Sequence, residues 1–91
     1  MQQEEAQDIV RQLREREVFA HVHHAGVFRF GVRVVLPDGR EAIWDSDGAA
    51  GLEAQIMRDN MLVGFVSVIP GSESWSASQI VDAIAGAEYG S

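Results

Sequence analysis

The feature that most constrains this chain is the change of period at residues 28–36. Phe28, Phe30, Val32, Val34 and Leu36 alternate with Arg29, Gly31, Arg33 and Val35. A repeat of two suits a strand with one buried face, whereas a helix would space its apolar positions by three and four. "PDG" follows at 37–39. Proline presets the first turn residue, aspartate suits the second, and glycine accepts the left-handed third. The chain then returns as a strand over 40–45. A three-residue loop sets Leu36 opposite Arg40, Val34 opposite Ala42 and Val32 opposite Trp44, which carries Trp44 to the apolar face.

Counting upstream gives a further strand over 18–24. A loop of His24, Ala25 and Gly26 pairs His23 with Val27, Val22 with Phe28, Ala20 with Phe30 and Val18 with Val32, so apolar meets apolar. His21 and His23 then point to the opposite face, across from Arg29 and Val27, and Phe19 covers Gly31. A two-residue loop would press both histidines against Phe28 and Phe30. Each unpartnered ring would then cost roughly 1–3 kcal/mol.

Three stretches read as helices. Over 2–17, Ala6, Ile9, Val10 and Leu13 form a narrow stripe, with acidic residues early and arginines late. "DSDGAAGLEAQIMRDN", 45–60, reads as about three turns, with Ser46 or Asp47 as cap and Ala49, Leu52 and Ile56 as the stripe. In "WSASQIVDAIAGA" Ser76 and Gln79 make a capping box, Trp75 staples onto Ile80, and Ile80, Ala83, Ile84 and Ala87 face inward. "MLVGFVSVI", 61–69, is apolar throughout and reads as a strand buried on both faces. A crossover through the second helix would lay it beside the first or third strand. The expected fold class is α+β in the order α-β-β-β-α-β-α, a four-stranded, mostly antiparallel sheet with helices packed on it. Residues 1–91 form one domain, with 87–91 a loose tail.

Composition narrows the function. Ninety-one residues with 46% hydrophobic content support one core. The chain has no cysteine, which removes disulfides, thiolate metal sites and cysteine nucleophiles and suits a cytoplasmic protein. Its formal charge is −7, which repels a phosphate backbone, so nucleic acid is not an expected partner. The N-terminus lacks the pattern of a signal peptide and no run is long and apolar enough for a membrane span.

Chemistry-bearing motifs are few. His21 and His23 share a strand face, but Glu41 and Asp45 stand two strands away, roughly 9–10 Å, too far for easy chelation. "DSDG" at 45–48 resembles the start of a calcium loop, yet Ala49 and Ile56 occupy later ligand positions. No G-x-S-x-G or phosphate loop occurs, and Ser72, Ser74, Ser76 and Ser78 read as turn and cap residues. Neither a cofactor, a metal nor catalysis is expected. What remains is the face bearing Phe19, His21, His23, Arg29 and Arg33 beside Val27, Val35 and Ile43, a mixture typical of protein interfaces. The sequence therefore reads as a small acidic, non-enzymatic interaction module that self-associates or binds a protein partner through a sheet face. The alternatives are a small-ligand or metal-binding protein using the His21/His23 face, and a phage or antitoxin-type inhibitor of a nucleic-acid-binding protein.

Overall fold

The computed structural model describes residues 1–27, 29–47 and 51–89. It is an α+β fold with helix α1 (Gln3–Glu15), strands β1 (Ala20–Gly26), β2 (Arg29–Val35), β3 (Glu41–Asp47), β4 (Gly51–Arg58) and β5 (Met61–Val66), a 3-10 turn at Ser72–Ser74, and helix α2 (Ala77–Ala85). The strands form one antiparallel meander in the order β1-β2-β3-β4-β5. The sheet thus has five strands, not the expected four.

Helix α1 buries the expected stripe of Ala6, Ile9, Val10 and Leu13. It is closed by Glu17, which takes a left-handed backbone (φ 63°), while the Val18 N–H donates to the Leu13 carbonyl at 3.0 Å. Helix α2 carries the expected capping box. The Ser76 N–H donates to Gln79 Oε1 at 2.9 Å, and the Gln79 N–H returns to Ser76 Oγ at 3.4 Å. Ile80, Val81 and Ile84 face the core. The helices pack on each other, α1 also covers β1 and β2, and Ile9, Val10, Leu13, Ile80, Val81 and Ile84 join one cluster with the inner face of the sheet.

The β2–β3 register is the one counted from the sequence, with Val34 opposite Ala42 and Val32 opposite Trp44. In the turn, the Asp38 carboxylate accepts from the Arg40 backbone N–H at 3.1 Å and from its guanidinium at 2.7 Å. These bonds hold its carboxyl below the usual carboxylate range. At β1–β2 the register differs. Ala20 faces Val34, Val22 faces Val32 and His24 faces Phe30, so the expected pairing is displaced by four residues. Strand β1 runs on through the expected loop to Gly26, which pairs with Arg29, with a bulge between His24 and Gly26. Phe28, expected opposite Val22, lies outside the described residues. A slip by an even number returns every side chain to the same face, so the assignment of faces survives the wrong register.

The larger correction falls on 45–60. Strand β3 continues to Asp47, and residues 51–58 are a strand instead of a helix. The expected helical residue Ala49 lies outside the described residues. Leu52, Ala54 and Ile56 are buried while Glu53 and Gln55 are exposed, an alternation with the period of a strand. Asp59 (φ 52°) and Asn60 (φ 65°) then form a two-residue hairpin turn between Arg58 and Met61, both in the left-handed region. With a hairpin in place of a crossover, β5 lies beside β4, not beside β1 or β3. It is also an edge, not a strand buried on both faces: Met61 is 68% exposed and Phe65 69%.

Two polar contacts tie the far elements down. Ser72, 1% exposed, accepts from the Leu52 N–H at 2.7 Å and donates to the Ile69 carbonyl, which fixes the 3-10 turn against the start of β4. The fully buried Trp44 donates its indole N–H to Tyr89 Oη at 3.1 Å, and the two rings meet edge to face at 6.2 Å.

Candidate protein interface

Both helices lie on one side of the sheet, so strand parity alone decides which residues the other side presents. Ala20, Val32, Val34, Ala42, Trp44, Leu52, Ala54 and Ile56 point toward the helices. Their neighbours along each strand point away. His21 pairs with Arg33, His23 with Gly31, Arg33 with Ile43, Ile43 with Gln55, and Gln55 with Phe65, which makes a continuous row across all five strands. Phe19, 75% exposed, stands beside Val35, whose N–H donates to the Phe19 carbonyl at 2.8 Å. Phe65 closes the row at the opposite edge.

The structure therefore brings Phe19, His21, His23, Arg29 and Arg33 onto one side of the sheet, with different neighbours from those counted. His21 stands opposite Arg33, not Arg29, and His23 opposite Gly31, not Val27. Phe19 does not cover Gly31. That glycine is instead where β2 and β3 approach closely, since a Cβ there would lie 2.5 Å from the Trp44 carbonyl oxygen.

The arginines are held by their neighbours. Arg29 reaches Asp45 at 3.2 Å and Arg33 reaches Glu41 at 3.6 Å, both cross-strand pairs on the open face. They are solvent-exposed, so each contributes about 1 kcal/mol or less to stability. Beside the Arg29–Asp45 pair lies a shallow depression of about 230 Å³, whose lining includes His23, Gly31, Ile43, Glu53 and Gln55.

The histidines separate into distinct settings. His21 Nδ1 lies 3.0 Å from the Arg14 guanidinium at the β1 edge. Guanidinium nitrogens only donate, so this ring nitrogen accepts. His23 lines the depression, and His24 stacks on Phe30 with ring centroids 4.9 Å apart. Among the described residues, no three His, Asp or Glu side chains come together as a metal-binding group. Among them too, no helix is long and apolar enough to cross a membrane.

The sequence reading expected one face of the 61–69 strand to join this surface without naming Phe65, and it missed the β4 contribution, Glu53 and Gln55. The signal was available in the alternation of 52–56 and in the Asp59-Asn60 pair, both residue types that tolerate a left-handed backbone. In architecture the chain is a one-sided, two-layer domain, with a five-stranded meander covered by a pair of helices. Compared with family models, curated proteins and solved structures, it matches none.

Proposed function

We propose that this chain is a small, non-enzymatic protein-interaction module that docks a protein partner on the helix-free face of its sheet. The observation that carries this reading is the placement of both helices on one side. It leaves a five-stranded face with an exposed aromatic ring at each end, half-buried Val35 and Ile43, and arginines paired with carboxylates across strands. Arginine is among the residues enriched at the centres of protein interfaces, where its planar fork meets carboxylates and carbonyls. An acidic chain of charge −7 steers basic partners. A cysteine-free domain of this kind fits the cytoplasm.

A metal or small ligand on the His21/His23 face has less support, because His21 Nδ1 is engaged by Arg14. The test of the docking reading is capture from a cell extract on immobilised wild type and Arg29→Glu, followed by affinity measurement with the captured protein. Arg29 is 66% exposed on its side chain, so reversing its charge leaves the fold intact. The expected result is at least a tenfold loss of affinity with little change in melting temperature. Equal binding by wild type, Arg29→Glu and Phe19→Ala would overturn the assignment of this face.

A further inference from the structure

The two edges of the sheet are built differently. Along β1, Arg14 folds over from α1 and donates to the outward Ala20 carbonyl at 2.9 Å, and a bulge ends the strand. Charge and bulges are ordinary means of keeping an edge from pairing with another chain. Along β5 the sequence from Met61 to Ser72 contains no charged residue, in a chain whose net charge is −7. Met61, Leu62, Val63, Phe65 and Val68 are 68%, 48%, 54%, 69% and 38% exposed.

We propose that β5 pairs antiparallel with β5 of a second copy, about a two-fold axis at Phe65, to make a continuous ten-stranded sheet. The register follows from the strand itself. A shift at Ile56/Met57 leaves Val63 without a partner in β4. Regular ladder resumes from Gly64, and centring the symmetry on Phe65 sets that ring against its own copy and Gly64 against Val66 of the second copy. The arrangement is isologous and closes at two chains. At about 100 Å² for each half-exposed large apolar side chain, the edge offers on the order of 500 Å² per copy. The pair then buries about 1,000 Å², the lower bound for a specific interface, which points to a reversible dimer. A foreign strand would need its own match to this edge, whereas a second copy supplies an identical uncharged, apolar one. The acidic remainders of the two copies repel, so added salt strengthens the dimer by screening them.

The chain's lack of cysteine makes the test direct. Residues facing each other across antiparallel strands have Cα atoms about 4.5–5.5 Å apart, within disulfide range. Under mild oxidation, Phe65→Cys is expected to form a disulfide-linked dimer, while Val27→Cys, at the far end of the β1–β2 hairpin, remains monomeric. In sedimentation, the wild type is expected to dimerise reversibly and more tightly in salt. Phe65→Lys, checked for folding by circular dichroism, is expected to weaken the dimer at least tenfold, and Arg29→Glu to leave it unchanged. A wild type that stays monomeric at millimolar concentration, or equal cross-linking of Val27→Cys and Phe65→Cys, would overturn the pairing. Dissociation by Arg29→Glu would move the dimer contact to the sheet face and refute the edge. The docking reading is scored by partner capture, so either can fail without the other.

Discussion

Replacing Tyr89 by phenylalanine removes one oxygen and leaves the ring. That oxygen is the acceptor for the indole N–H of Trp44, at 3.1 Å, and Trp44 is fully buried. The edge-to-face contact at 6.2 Å survives the change. What is lost is the hydrogen bond, and a buried donor left without a partner costs about 1–3 kcal/mol. For a domain of this size each kcal/mol lowers the melting temperature by about 4–8 °C, so Tyr89→Phe should melt roughly 5–20 °C lower than wild type. Urea denaturation is the assay, with an unchanged m-value required for the comparison. A double-mutant cycle assigns the cause: in a Trp44→Phe background the indole donor is gone, and Tyr89→Phe should then cost close to nothing. If Tyr89→Phe is neutral in the wild-type background, or equally costly in both, the hydrogen bond is not what anchors this segment.

The same residue gives a pH signature with a definite sign. Burial of the Tyr89 hydroxyl disfavours the phenolate and raises its pKa above the usual value of 10.0, while the hydrogen bond from Trp44 acts weakly the other way. A raised folded-state value means the folded chain holds its proton where the unfolded chain has released it. The contribution to stability is therefore whole below pH 10 and lost as pH rises through the folded value. Tyr89 is the only tyrosine, so tyrosinate absorbance reports it alone. Its midpoint should lie above that of the urea-unfolded chain, and coincident midpoints would place Tyr89 in solvent.

Gly31→Ala would set a Cβ against the Trp44 carbonyl oxygen at 2.5 Å. A backbone atom of a central strand cannot swing aside, so a loss of about 1–3 kcal/mol is expected by urea denaturation, and an unaffected variant would mean β2 and β3 lie farther apart. Glu17→Gly should act in the opposite direction. It relieves about 1–2 kcal/mol of left-handed strain at φ 63° and returns part of that through the entropy of the unfolded chain, for a net gain of about 0.5–1 kcal/mol and a melting point a few degrees higher.

What the sequence made legible was periodicity backed by a distinctive local signal. The "PDG" turn and the alternation around it gave the β2–β3 register residue by residue, and Ser76 with Gln79 marked the start of α2. The face of His21, His23, Arg29 and Arg33 was legible because parity is robust to an even slip, even though the β1–β2 pairing itself was four residues out. The β4 strand was not legible because its residues are strong helix formers. Leu52, Glu53, Ala54, Gln55, Met57 and Arg58 all favour a helix in isolation, and Leu52 and Ile56 sit at a helical spacing of four. Tertiary context overrode that preference. Between β3 and β5 the same residues bury Leu52, Ala54 and Ile56 as an alternating set, and Ser72 accepts the Leu52 N–H. Trp44's partner was not legible either, since Tyr89 lies 45 residues away in a segment without periodicity.

The composition of β5 is that of an inner strand, but its place is at an edge. Had residues 45–60 formed a crossover helix, "MLVGFV" would have entered the sheet as an inner strand, and an all-apolar sequence is what a strand buried on both faces requires. As the last strand of a meander it has β4 on one side only, and α1 and α2 cover only the inner face. Most of its apolar side chains are therefore exposed. An edge strand with that composition favours association with other strands. The β1 edge shows that this chain contains the usual countermeasure, an arginine placed over an outward carbonyl. On β5 only the Val63 bulge interrupts the apolar edge, and the bulge leaves the stretch around Phe65 regular. An inner-strand sequence at an edge fits a sheet that continues into a second copy, where Gly64, Phe65 and Val66 would be flanked by strands on both sides.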